Sequence, residues 1–479
     1  MRILMATVEA VATAESGLAA NFVQLCQALK REKADVTLLA PLYGSPAGGA
    51  VQLARRLRGL KVPRGDETLE LPLWEGMLPG NVRLLLVEHE SFPRSGIYGD
   101  GTGDWPDNAA RFGLFCQAVA AAAAPDSGLV QDVVHLHDWP TGLAAYLLQS
   151  PGTAPRPPVV YSVYNLAFQG HYPASVLPEL GLPAADFHPE GLEYFGHLNF
   201  LKVGLRYADA VVAMGRAHLR EITSAEGGCG MDGLLRHREG AVTGIPLGID
   251  GVRFDPARDP ALAQTYSAAT IGGKRVCKRA LQDEAGLAGR SDLPLVGFVP
   301  PLARILPAPQ LREVIAEVLR HELQVVLLHE PGEEADFVDL AEDGEHFGLL
   351  AAAEEGAYHR LLGGADLVVV PSLFAPGSQP ALEALRYGTL PVVGGEGVLE
   401  RGPQGQPLGF EVATRSVAGV LLALRAARKL FRDQKQWRLA MLEGMALELS
   451  WPAAARSYLR LYAALAGNGS SDQAAGGHT

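Results

Sequence analysis

Short, almost unbroken apolar runs recur along the chain, and between them apolar positions fall every three or four residues. The runs at 1–8, 36–40, 82–87, 133–136, 159–163 and 210–213 have the length and composition of strands buried on both faces, as in parallel sheets covered by helices. Between the first two, Phe22, Val23, Leu25, Cys26, Ala28 and Leu29 repeat with helical spacing over 19–31, so the chain opens as a βαβ unit. The rhythm breaks after Gly248-Ile249-Asp250. A polar, proline-rich passage from Phe254 to Pro260 predicts a linker. A helix is expected over 274–285, and a second series of buried strands follows at 295–299, 324–328, 367–370 and 390–393. The pattern predicts an α/β protein of two doubly wound parallel-sheet, Rossmann-like domains, 1–255 and 256–440, facing across a cleft. A last amphipathic helix over 441–466 is expected to pack back on the body, ahead of a small, polar and disordered tail at 467–479.

Composition narrows the function classes. At 479 residues the chain exceeds one ordinary core and suits two domains of roughly 200 residues each. Its 48% hydrophobic and 20% charged residues are the balance of a globular protein with filled interiors. Asp and Glu outnumber Lys and Arg by 53 to 41, a net charge of −12, which argues against a nucleic-acid or anionic-membrane binder. The apolar opening is far too short for a bilayer span and ends at Glu9 without a small-residue cleavage site, so a cytoplasmic protein is expected. Cys26, Cys116, Cys229 and Cys277 are widely spaced, the pattern of reduced, mostly buried thiols rather than of a metal site or disulfide framework.

Residues 371–393 carry most of the functional argument. They read as strand end, loop, helix and second strand, the place where open α/β sheets bind ligands. Elsewhere stand His135-Leu136-His137-Asp138-Trp139 with Thr141-Gly142-Leu143, Asn165-Leu166-Ala167-Phe168-Gln169-Gly170, and Glu190-Gly191-Leu192-Glu193-Tyr194-Phe195-Gly196. Asn199-Phe200-Leu201-Lys202, Gly248-Ile249-Asp250 and Ala384-Leu385-Arg386-Tyr387-Gly388-Thr389 follow. In content and order these segments resemble, over almost the full length, the bacterial glycogen synthase and starch synthase family, retaining glycosyltransferases of the GT-B fold. The resemblance implies transfer of glucose from ADP-glucose, or UDP-glucose in some relatives, to the end of an α-1,4-glucan. A leaving diphosphate gains charge as the glycosidic bond breaks and must meet cations and backbone N–H groups. No metal or other cofactor is implied where Arg and Lys supply that charge.

At the positions where the family carries donor-contacting side chains, this chain departs from it. The family's Lys-Thr-Gly-Gly-Leu is here Ala14-Glu15-Ser16-Gly17-Leu18, with Ala14, or Glu15 if the loop is one residue shorter, in place of the cation. His-Asp-Trp-His becomes His137-Asp138-Trp139-Pro140, His-Asn-Leu becomes Tyr164-Asn165-Leu166, and Asn-Gly-Ile-Asp becomes Leu247-Gly248-Ile249-Asp250. The phosphate-binding Arg and Lys of the second half correspond to Pro301 and Leu306, the base-facing Gly-Tyr to Ala352-Ala353, and the loop glutamate of Phe-Glu-Pro-Cys-Gly to Ala375. The expectation is a dismantled sugar-nucleotide site in a catalytically silent or impaired protein. A remaining role would be α-glucan binding or partnership with an active glycogen synthase. The alternative is an active glycosyltransferase with a rebuilt site.

The surviving cleft candidates each have a plainer reading. Asp138 is either a polar group at the reaction centre or a strand-end aspartate ordering the helix that follows, and Asn165 poses the same choice. Arg304 either replaces the missing cation or is a solvated loop arginine among prolines that fix a different backbone. Glu383 sits where another retaining GT-B family holds the nucleotide ribose, and it also suits the first turn of a helix. His135 and His137 alternate on a strand with no third ligand at suitable spacing, so no metal site is expected. Gly394 and Gly395, followed by Glu396-Gly397, form a glycine turn after a strand, able to present N–H groups to a phosphate.

Overall fold

The computed structural model describes residues 1–9, 17–44, 51–64, 67–100, 102–149, 156–320, 323–370, 379–394 and 402–475. They form two compact units. The first comprises residues 1–214, 222–245 and 451 onward, the second residues 215–221 and 246–450.

The first unit is built on a sheet whose parallel strands run Val82–Val87, Asp35–Pro41, Arg2–Ala6, Val133–His137, Val159–Ser162, Ala210–Ala213, Val242–Gly244. Leu73–Leu78 and Ala54–Arg55 extend it as an antiparallel edge. Val133–His137 and Val159–Ser162 are buried at every position, so both faces of the sheet need helical cover. Successive strands move outward from Arg2–Ala6 on one side, then restart on its other side at Val133–His137. That pair is the switch point, beyond whose carboxyl ends open α/β sheets bind ligands.

Two glycines let the helices Gly142–Leu147 and Phe200–Tyr207 cross closely. A Cβ on Gly142 would lie 2.0 Å from the Phe200 carbonyl oxygen, and one on Gly204 would lie 2.5 Å from the Tyr161 ring. Gly142 of the Thr-Gly-Leu motif is therefore a packing residue. Asn199 starts the second of these helices by accepting a hydrogen bond from the Lys202 N–H at 2.8 Å, the usual work of an N-cap.

The second unit holds a wholly parallel sheet in the order Phe347–Ala351, Gln324–His329, Leu295–Phe298, Leu367–Val369, Leu390–Gly394, Phe410–Val412. Its switch point lies between Leu295–Phe298 and Leu367–Val369. Side chains alternate between two cores: Phe298, Leu327, Val369 and Leu424 pack on one face, Val326, Leu361, Val368 and Tyr387 on the other. The strands Val242–Gly244, Phe347–Ala351 and Phe410–Val412 lie at sheet edges. There, pairing on one side tolerates runs too short or too mixed to stand out in the sequence.

The helix expected over 441–466 is two helices. Gln434–Ala446 belongs to the second unit and Trp451–Ala475 to the first. The break falls just ahead of Pro452, which sits in the first turn of the later helix and has no N–H to donate to a preceding helical turn. The later helix packs on Gly17–Arg31, with Arg456 paired to Glu32 at 3.1 Å. It is assigned through Gly467 to Ala475. Among the described residues no helix is long and apolar enough to cross a membrane.

Candidate functional site

At the switch point of the first unit, Glu9 follows the first strand and Asp138 follows Val133–His137. Asp138 has φ +64° and ψ 170°, a backbone region that only glycine occupies freely and that clusters at functional sites. Three contacts hold it there: its N–H donates to Ser162 O at 2.9 Å, and its carbonyl accepts from the Thr141 N–H at 3.1 Å and the Thr141 hydroxyl at 2.9 Å. Its side chain makes no N-capping hydrogen bond. The residue keeps some exposure, but its Oδ1 is sealed from solvent and has no hydrogen-bond partner among the described residues. Burial pushes its carboxyl up to about 7; the Trp139 N–H opposes this and the Glu9 charge adds to it. Glu9 accepts from the Tyr98 hydroxyl at 2.5 Å. Neither Glu9 nor Tyr98 stands out in the sequence pattern, although Glu9's place directly after the first strand is the signal that could have found it.

Tyr164, in the position of a family histidine, is buried, and its hydroxyl lies 2.9 Å from His137 Nδ1. His137 Nε2 has no partner among the described residues, and burial lowers this histidine to about 3. Both nitrogens of His135 are engaged, Nε2 with Ser162 Oγ at 2.8 Å and Nδ1 with the Tyr462 hydroxyl at 2.6 Å. His135, held neutral by burial, is thus a strut that fastens the C-terminal helix to the sheet. No cluster of three or more metal-ligating side chains occurs among the described residues. Asn165 is exposed, and its Oδ1 accepts from the Ala167 N–H at 3.0 Å, a local turn contact.

In the second unit, the chain leaving Leu295–Phe298 turns inward. Leu302, Ile305 and Leu306 are buried in the core, and Leu306, where the resemblance puts a lysine, is only 1% exposed. Pro301 is partly exposed. Arg415 donates to the carbonyls of Ala303 and Ile305 at 3.0 and 3.2 Å, so this cation is spent on the turn. One carboxylate spans the ends of two strands: Glu333 Oε1 accepts from the Leu302 N–H at 3.0 Å and Oε2 from the Glu330 N–H at 2.9 Å. Glu334 lies beside it, 3.1 Å from His329 Nδ1. Backbone donors at this edge are therefore held by the chain's own anion, an arrangement invisible in the motif comparison.

Glu383 lies on the helix Gln379–Arg386 and is buried, accepting from the Tyr358 hydroxyl at 2.7 Å. Burial pushes it up to about 7, against the opposing pull of that hydroxyl and of Arg253. Leu247 is buried, and the neighbouring Gly248 carbonyl accepts from Gln379 Nε2 at 2.8 Å. Gly394 closes its strand opposite Val412. Gly17 opens the first helix, and Arg304 ends the short turn Leu302–Arg304. Ala14, Ala375 and Gly395 lie outside the described residues.

Two doubly wound units, each with a switch point at the carboxyl edge of its parallel sheet, define the GT-B class of glycosyltransferase. Over 97% of this chain the fold matches the catalytic domain of starch synthase IV from Arabidopsis thaliana bound to ADP and acarbose, covering 99% of that chain with TM-score 0.75 and 25% identity. A sucrose-phosphate synthase from Thermosynechococcus elongatus shares the fold at TM-score 0.58 and 15% identity, over 97% of this chain and 98% of that one.

The starch synthase catalytic domain family matches residues 2–237. A glycogen synthase from an Anaeromyxobacter species is 38% identical over 446 residues, 90% of this chain and 92% of that protein. Another from Aromatoleum aromaticum is 37% identical over 487 residues, 97% of each. The chain belongs to the glycogen synthase and starch synthase family.

Proposed function

We propose that this family member has lost productive sugar-nucleotide binding, so that glucosyl transfer is silent or strongly impaired, and that it retains an α-glucan-binding surface in its first unit. One observation carries the reading: at the carboxyl edge of the second unit, Pro301 and core-buried Leu306 stand in the places of the phosphate-binding cations, and Glu333 holds the adjacent N–H groups. A diphosphate arriving there meets a carboxylate in place of two cations. Two charge-assisted contacts of about 1.5–3 kcal/mol each are lost, before any effect on the transition state.

Glucan binding draws support from the small sheet of His171–Pro173, His197–Asn199 and Glu193–Tyr194. Phe195 is 83% and Phe168 62% exposed beside it, with Tyr194 edge-on to Phe195 at 4.8 Å and Gln169 bonded to His171 at 2.7 Å. Exposed rings next to polar tips suit the apolar faces and hydroxyl rims of sugar rings. Partnership with an active glycogen synthase on a shared glucan is the role this allows. The test is incorporation from ADP-glucose and UDP-glucose into glycogen by the purified chain: background incorporation is expected, and turnover at ordinary synthase rates overturns the reading.

A second reading, an active glycosyltransferase with a site rebuilt around Glu383, Arg304 and Gly395, draws on the buried, proton-holding Glu383 and the strained Asp138, both of them traits of functional sites. Thermal-shift titration separates the two, since any nucleotide sugar that binds the native state must stabilise it.

A further inference from the structure

The second unit carries a cavity of about 320 Å³ at the edge of its sheet opposite the candidate donor side. Its floor includes Asp366, the residue before Leu367–Val369, and Lys278, which pairs with Asp366 at 2.7 Å and donates to the Leu293 carbonyl. The cavity therefore sits at the amino ends of the strands. Two helices form its walls. Arg275, Lys278 and Arg279 follow one another at helical spacing on Gly273–Glu284, and Trp437 and Arg438 face them from Gln434–Ala446.

The charge balance at this place runs against that of the chain. Four cations line the cavity, Arg275, Lys278, Arg279 and Arg438, against the single carboxylate of Asp366, in a protein of net charge −12; burial lowers Lys274 beside them to about 7. The two lysines are already satisfied: Lys274 donates to the carbonyls of Leu362 and Gly363 and to Thr389 Oγ1, and Lys278 holds Asp366. Arg279 shares its charge with the exposed Asp283 at 3.0 Å. Arg275 and Arg438, both exposed, form no ion pair among the described residues. Guanidinium forks left unpaired on facing helices, over a floor whose one carboxylate is already held by Lys278, match the geometry and charge of a phosphate group, and the volume is that of a small-molecule site.

We infer that this cavity binds a small phosphate ester, with Arg275 and Arg438 clamping the phosphate from opposite walls. The inference is independent of the proposed state of the donor side, since the two lie at opposite ends of the sheet. Sugar phosphates and nucleotide monophosphates share the recognised group, so the test uses glucose 1-phosphate and AMP in separate arms, with pyrophosphate as the bare anion.

Each probe is titrated calorimetrically, at low salt, into the full chain, into an Arg275→Ala/Arg438→Ala variant, and into an Arg58→Ala/Lys61→Ala variant that loses the same charge from the first unit. Saturable binding of at least one probe is expected, weakened at least about 10-fold by the cavity variant and unchanged in the control. Tighter binding of glucose 1-phosphate assigns a sugar ester; tighter binding of AMP assigns a nucleotide. All four altered side chains are exposed, and matching melting curves confirm folding. No saturable binding by any probe, equal binding to the cavity variant, or equal weakening in both variants overturns the inference.

Discussion

Asp138→Asn isolates the cost of a carboxylate sealed at the switch point of the first unit. The amide keeps the shape and removes the charge. Asp138 rises from an ordinary 3.8 to about 7 on folding, a difference of about 3 units at ~1.4 kcal/mol each, which puts a ceiling of about 4 kcal/mol on the effect. The direction follows from which state holds the proton. The folded chain keeps it to higher pH than the unfolded chain, so its stabilising effect is complete below the unfolded value near 4 and is lost as pH climbs through about 7. Because Asp138 keeps some exposure, about 1–3 kcal/mol is the expected size. Urea unfolding of both proteins near pH 5 and near pH 8 reads it, since titrating groups not coupled to Asp138 cancel in the difference. The variant should approach the parent near pH 5 and exceed it near pH 8. A difference of the same size at both values, or one of opposite sign, refutes the reasoning.

Other perturbations test other joints. Tyr462→Phe leaves His135 Nδ1 buried without its partner and should cost about 1–2 kcal/mol, with faster hydrogen exchange along Trp451–Ala475 as the local readout; unchanged exchange would remove the strut. Glu333→Ala frees the N–H groups of Leu302 and Glu330 and deletes one negative charge, so ADP should bind about tenfold more tightly by thermal shift or calorimetry; an unchanged affinity means Glu333 does not guard that edge. Leu306→Lys places an ammonium in a core position 1% exposed. It should destabilise the chain by about 3 kcal/mol or more rather than restore transfer, and a stable, active variant would contradict the described packing.

Much of the architecture was legible along the chain because fully buried parallel strands must be locally apolar. Arg2–Ala6, Val133–His137, Leu295–Phe298 and Leu367–Val369 announce themselves that way, as does the restart of the alternation after Asp250. Edge strands such as Phe410–Val412 were not legible, nor was the division of the last helix, which depends on Pro452 and on which unit offers a surface for Trp451–Ala475. Motifs marked where the candidate sites lie and left open what their residues do. Gly142 is a crossing point, Asn165 accepts a hydrogen bond within its own turn, and His135 anchors the C-terminal helix.

The order of strands and helices, and with it family membership, was written into the sequence because secondary structure and burial are read from near neighbours. The state of Asp138 was not, since its charge depends on which atoms seal it and on Glu9 beyond the first strand. Tyr462 meets His135 across 327 residues, and Glu333 reaches Leu302 across 31. Only the folded chain brings such groups within hydrogen-bonding distance, and desolvation and hydrogen bonding at that range decide whether a surviving motif is a site or a support.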